Sequence, residues 1–136
     1  MRRLLELYQY DFSEFDSRDV DAHGEYGYRH LDQYWTEASR HPFLFRIDGQ
    51  WAGLALVQTG PPADMVEFFV LRKYRRVGLG RRAAAEIFRL FPGEWTVRQQ
   101  HRNAIATSFW RSAIPYAYRE RATGNEVIQQ FKVDSV

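Results

Sequence analysis

An apolar run, Val66-Glu67-Phe68-Phe69-Val70-Leu71, passes directly into the basic stretch Arg72-Lys73-Tyr74-Arg75-Arg76 and then into Val77-Gly78-Leu79-Gly80-Arg81. A buried strand that feeds a basic loop, and then glycines that open a helix, restricts both the fold and the chemistry. Glycine lets the backbone approach a ligand with no Cβ in the way. The first N–H groups of a helix have no internal partner and lie at the positive end of its macrodipole. Together these features make an anion site suited to a phosphate. Six cations within residues 72–82 deepen it. The competing description of the same residues is an ordinary helix start behind a solvated basic loop.

The rest of the chain supplies elements to either side. Leu4, Leu7, Tyr8 and Asp11/Phe12 recur near helical spacing over residues 4–15, and residues 16–28 read as a loop. A second, shorter helix is expected over residues 30–39, ending before His41-Pro42. Phe43, Phe45 and Ile47 alternate up to Asp48-Gly49, and an apolar run over residues 51–57 continues beyond it. Asp-Gly between such runs signals a hairpin. A third strand over 64–71 is short and apolar enough to be central. Residues 78–90 form a helix with Leu79, Ala83, Ile87 and Leu90 on one face, stopped by Phe91-Pro92-Gly93. A strand over 95–99, a helix over 103–113 and strands near 116–119 and 126–133 complete the order α, α, β, β, β, α, β, α, β, β. That order predicts a mixed α/β (α+β) fold, one domain built around one sheet. At 136 residues, two independent cores are not expected.

Three phosphate-binding patterns compete for the junction. A P-loop ends in Gly-Lys-Ser/Thr, which is absent. Gly78-Leu79-Gly80-Arg81-Arg82-Ala83 satisfies a dinucleotide G-x-G-x-x-G/A pattern. In that fold, however, the first glycine follows closely on its strand, whereas six residues, 72–77, intervene here. The ribose-binding acid is also missing where Gln99-Gln100 stand, and the remaining chain is too short for a doubly wound sheet. The third pattern fits. Arg75-x-x-Gly78-x-Gly80, placed after a strand, resembles the Arg/Gln-x-x-Gly-x-Gly/Ala signature of the GNAT superfamily of acetyl-CoA-dependent N-acetyltransferases. Asn103, with Ala106 and Phe109 behind it, resembles the family's second motif, an Asn-headed helix after a strand. The likeness covers roughly residues 43–120, and for Asn103 a plain N-cap role is also open.

The resemblance implies a mostly antiparallel sheet flanked by helices, with its central strands splayed. The pantetheine arm of acetyl-CoA would lie in the opening, against the backbone of Phe69, Val70 and Leu71, where an N–H would polarise the thioester carbonyl. The amides of Val77, Gly78, Leu79, Gly80 and Arg81 would hold the pyrophosphate, with Arg75 and Arg76 supplying charge. Asn103, Phe109 and Trp110 would flank the cofactor. An acceptor amine must lose a proton before attack, and Glu67 or Asp64 could take it, with Glu67 preferred because the family often carries an acid three residues before the Val70 position. The family's usual Tyr seven residues after the Asn is Trp110 here, and indole donates no proton usefully. Tyr116 or Tyr118 then becomes the candidate acid, or the thiolate leaves without one. Ala113-Ile114-Pro115 replaces the usual Gly-Phe. The family's first strand is missing ahead of the first helix, which would leave the strand over 43–47 at a sheet edge and predicts either pairing with a second copy or a start site placed too late.

Composition narrows the partners. No apolar run reaches eighteen residues, so no membrane-spanning helix is expected. Without cysteine, disulfides and thiol catalysis are excluded, and a cytoplasmic location is the default. The four histidines show no metal-ligand spacing, so no metal site is expected. Residues 1–40 carry nine acids and five bases, residues 41–136 eight and fourteen. That split suits an enzyme joining an anionic cofactor to a cationic acceptor, although compositional bias would produce it too. Aromatics interleaved with acids in residues 8–35 would suit a small-molecule or peptide amine, or simply form core. Two other classes stay open. A nucleic-acid-binding module would use residues 72–82 as a phosphate track, but the expected basic stripe is missing. A GNAT-fold sensor would bind acyl-CoA without turnover.

Overall fold

The computed structural model describes residues 1–135. Helix α1 (Arg2–Asp16) precedes a long loop and the short α2 (Gln33–Thr36). The hairpin β1 (Arg40–Ile47) and β2 (Gln50–Gln58) follows, turning on Asp48 and Gly49, both at positive φ (50° and 79°). That left-handed pair is what Asp-Gly provides in a two-residue hairpin. Then come β3 (Ala63–Val70), a single 3-10 turn (Arg72–Tyr74), α3 (Leu79–Leu90), β4 (Gly93–Gln100), α4 (Ala104–Ala113), β5 (Tyr118–Ala122) and β6 (Glu126–Val133).

The six strands form one sheet in the order β1-β2-β3-β4-β6-β5. Every pairing is antiparallel except β3 with β4, which run parallel and meet only at Ala63–Trp95 and Asp64–Thr96. Beyond those two pairs β3 and β4 diverge, so the expected splay is present. β2 is buried on both faces. Ala55 and Val57 join a core with Ile87 and Phe88 of α3, Trp110 of α4, Trp95 of β4 and Phe131 of β6. Leu54 and Leu56 point the other way, onto Leu5 of α1, Leu31, Tyr34 and Phe69. One sheet thus separates α1 from α3 and α4.

The helix expected over 30–39 shrinks to four residues. His30 takes a left-handed φ of 62° and Glu37 is already extended. Leu31 and Tyr34 are buried in the α1-side core, and the following chain is drawn into β1, with Thr59 N–H donating to Ser39 O. Tertiary burial of these two side chains outweighs a weak helical period. β5 starts two residues later than expected, because the Tyr116 ring stacks on Phe131 at 5.9 Å. Among the described residues no strand precedes α1, and β1 stands at the sheet edge. Because Ser39 O faces β2, alternation turns the outward edge to Arg40, Pro42 and Leu44. Pro42 has no N–H to offer there, which blunts that edge.

Candidate active site

The junction read from sequence forms a loop with open amides. Arg76 (φ 65°) and Gly78 (φ 83°) both adopt left-handed backbone, and Gly78 caps α3. The first N–H that finds an acceptor is that of Arg82, which donates to Gly78 O at 3.1 Å. Among the described residues, none accepts from the N–H groups of Val77, Gly78, Leu79, Gly80 and Arg81. Gly80 is needed for closeness as well, because a Cβ there would lie 3.1 Å from the Phe109 ring. Phe109 packs in turn on Phe68 at 5.8 Å, which ties the loop to α4 and β3.

Arg75 does not extend towards that loop as a free cation. Its Nε donates to Val70 O at 2.8 Å and its Nη2 to Asp11 Oδ2 at 2.9 Å. Arg72 shares the same carboxylate. Leu71 N–H is taken up by Ala52 O of β2 at 2.8 Å. Alternation then turns the N–H and C=O of Val70 away from β2, towards the gap between β3 and β4. Of the backbone positions expected to face the cofactor, Val70 is turned to the gap, while Leu71 and Phe69 are turned to β2. The Phe69 side chain belongs to the α1-side core.

The splay opens a cavity of about 340 Å³. Asp64, Glu67, Asn103 and Trp110, all expected from sequence, line it. A β-bulge decides where Glu67 points. Leu56 pairs with Glu67 and Val57 with Met65, so Val66 is the extra residue. Before the bulge Ala63 and Met65 face α3 and α4; after it Phe68 does, and Phe69 and Leu71 face α1. A strict period of two continued from Met65 would have sent Glu67 into the opposite core. Instead its carboxylate faces the Tyr8 hydroxyl of α1. Glu67 keeps some contact with the cavity but is ringed by protein. Burial pushes its pKa up to about 7; the Tyr8 hydroxyl pulls the other way, and the Asp64 charge adds to the rise. Burial also raises Asp64, against the pull of Arg98 and with the push of Glu126. Tyr8 is held well above the ordinary phenol range by burial and by Glu67.

Asn103 caps α4, its Oδ1 accepting from Ala106 N–H at 3.1 Å. Trp110 is 5% exposed and sets its ring edge-on to Phe68 at 5.0 Å. The structure does not bring Tyr116 or Tyr118 to the cavity: Tyr116 is in the core against Phe131, and Tyr118 donates its hydroxyl to Arg111 O at 3.4 Å. Tyr8, Arg98 and Glu126 also line the cavity, and the sequence does not mark them as its chemical groups. For Tyr8 the available signal is its place one turn beyond Leu4 and Leu5 on the apolar face of α1, but no periodicity says which strand that face covers. A larger groove of about 430 Å³ flanks α4 beside His101, Ser108 and Arg111, and holds none of the candidate carboxylates. Among the described residues no cluster of His, Asp and Glu could hold a metal, and no helix is long and apolar enough to cross a membrane.

The parallel pair opens into a cleft, with open amides at the helix that follows and a half-buried carboxylate on the strand. The Acetyltransferase (GNAT) family model matches residues 2–114, and the chain belongs to that family. It is an acetyltransferase that takes its acetyl group from acetyl-CoA. The fold is similar to that of the ribosomal-protein-S18-alanine N-acetyltransferase from Escherichia coli (17% identity, TM-score 0.61, 73% of this chain and 72% of that one). It is also similar to an acetyltransferase from Thermus thermophilus (16%, TM-score 0.66, 77% and 71%). A GNAT family acetyltransferase from Elizabethkingia anophelis with acetyl-CoA bound is a third likeness (10%, TM-score 0.57, 76% and 81%). No curated protein sequence matches the chain significantly.

Proposed function

We propose that this chain, acting as one domain, moves the acetyl group directly from acetyl-CoA to a primary amine, with Glu67 as the base. The observation that carries the proposal is the pairing of two features along β3. The amides of Val77 to Arg81 are open beyond its C-terminal end, and a carboxylate poised near neutrality lines the gap that β4 leaves beside it.

The loop amides and the positive end of α3 bind the pyrophosphate, with Arg76 and Arg81 adding charge. The pantetheine arm fills the gap that β4 leaves beside β3, and Val70 N–H donates to the thioester oxygen as negative charge builds there. The acceptor enters from the α1 side. Glu67, directly or through water, takes a proton from its ammonium group. The freed lone pair attacks the carbonyl carbon, the C–N bond forms, and collapse of the adduct breaks the C–S bond. Glu67 matches this duty because a base works best with a pKa near the working pH. With Trp110 in place of a phenol, the attacking nitrogen gives up its second proton to water, and the departing thiolate takes its proton from that water. Asp64, pinned near Arg98 (4.0 Å), shapes the mouth and raises the basicity of Glu67.

Two measurements test this. Acetyl-CoA at about 100 times its dissociation constant stabilises the fold by about 2.7 kcal/mol, so its melting shift should exceed those given by ATP, NAD or a single-stranded oligonucleotide. Thiol release from acetyl-CoA across a panel of amines should then be amine-dependent. A larger shift with the oligonucleotide, or thiol release indifferent to amine, would refute the proposal.

A further inference from the structure

Asp11 lies near the end of α1, and its two oxygens are divided between two arginines of the phosphate loop. Oδ1 accepts from Arg72 Nη2 at 2.8 Å and Nε at 3.2 Å; Oδ2 accepts from Arg75 Nη2 at 2.9 Å. Arg75 Nε continues the chain to Val70 O at 2.8 Å. One carboxylate therefore joins the acceptor-side helix to the loop that offers its amides, and through Arg75 to the strand residue whose N–H faces the cleft. The Asp11 side chain is 29% exposed and that of Arg75 38%, whereas that of Arg72 is 75%, so the Arg75 bond is the more sheltered of the two. Burial alone would raise the Asp11 carboxyl, yet the two guanidinium groups hold it below the usual carboxylate range. Charged groups sharing several aligned bonds exceed a lone surface pair in strength and in geometric precision.

By charge alone Asp11 is antagonistic to an anionic ligand, because a carboxylate beside a phosphate site repels it and occupies two of the six nearby cations. The geometry argues the reverse. Arg76 and Gly78 sit in left-handed backbone, and for Arg76 that conformation is intrinsically unfavourable. A loop of that shape persists only when both ends are held. α3 holds the far end, while Arg72 and Arg75 on Asp11 hold the near one. We infer that Asp11 is a positioning residue for acetyl-CoA, fixing the phosphate loop through Arg72 and Arg75 and setting α1, with Tyr8, in register with it. The inference rests on the proposed cofactor site at Val77 to Arg81.

The two signs make it testable. Coenzyme A is titrated calorimetrically into the wild type, Asp11→Asn, Asp11→Glu, Arg75→Gln and the Asp11→Asn/Arg75→Gln double variant, each checked for folding by circular dichroism. Asp11→Asn should weaken binding about fivefold, at the lower end of typical couplings between sites. Asp11→Glu should weaken it too, although the charge is kept, because the carboxylate is displaced by a methylene. The double variant should bind no worse than the weaker single variant, since the two residues act as one strut. Tighter binding by Asp11→Asn, or unchanged binding by Asp11→Glu, would overturn the inference while leaving the cofactor site standing. If Asp11→Asn does not fold, Asp11→Glu alone decides. A wild type that fails to bind coenzyme A would overturn the inference and the cofactor site together.

Discussion

Replacing Glu67 with glutamine should slow the enzyme and stabilise the protein at the same time, with the stabilisation appearing only as pH rises towards neutrality and beyond. In the folded chain the carboxyl has a pKa of about 7, against 4.5 for the ordinary group. Between those values the folded state keeps a proton that the unfolded state has lost, so stability falls as pH rises through the window and levels off above about 7. The full linkage over that window is about 3.4 kcal/mol at about 1.36 kcal/mol per unit. Because Glu67 retains contact with solvent in the cavity, a realistic cost is about 1–3 kcal/mol. The glutamine amide mimics the neutral acid and escapes that cost. Near pH 4 both proteins should therefore melt together. At pH 8 the Glu67→Gln variant should melt roughly 3–9 °C higher, at about 3 °C per kcal/mol for a chain of this size. Amine acetylation should drop by at least about 10²-fold in the same preparation, the usual contribution of a general base. Thermal melts at both pH values, with turnover measured alongside, decide the matter. An equal shift at pH 4 and pH 8, or destabilisation at both, would refute a raised Glu67 pKa as the source of the effect.

Three other substitutions probe neighbouring parts of the same site. Tyr8→Phe removes the hydroxyl that favours the Glu67 carboxylate; the acid limb of the pH profile of kcat/KM should move up by about 0.5–1 unit, and an unmoved limb would detach Tyr8 from the base. Gly78→Ala leaves room for the methyl group but forces an L-residue into φ 83°. It should cost about 1–2 kcal/mol in a urea melt and weaken acetyl-CoA binding, and a neutral effect on both would mean the loop conformation is dispensable. Gly53→Ala, opposite Val70 in the β2–β3 ladder, should be worse: its Cβ would collide with the Phe69 carbonyl and sit 2.9 Å from the Phe45 ring. A loss of about 1–3 kcal/mol is expected, and wild-type stability would show that β3 shifts freely.

Much of the proposed cofactor half is legible in the residues because its chemistry is local. The glycines at 78 and 80, the cations around them and the strand ahead are contiguous, and the physics of a helix start needs nothing distant. Asn103 reads as a cap for the same reason, its donor partner being three residues away. The acceptor half is not legible. Tyr8 and Glu67 are far apart in the chain and meet because α1 lies across β3. Arg75 reads as a phosphate ligand in the sequence, whereas in the fold Asp11, sixty-four residues earlier, holds it. Tyr116 and Tyr118 follow from a missing phenol in a sequence pattern, but their positions follow from the packing of Phe131 and from the outward run of β5.

The sequence by itself determined the order of the elements, the hairpin at Asp48-Gly49 and the glycine-opened start of α3, because side-chain period and backbone permissiveness act over a few residues. Only the tertiary structure decided how the two candidate carboxylates are surrounded. One inserted residue at Val66 turns Glu67 from one face of the sheet to the other, and the α1 helix above it then withdraws its charge from water. Burial is a property of what packs on a residue, and no local stretch of chain contains it.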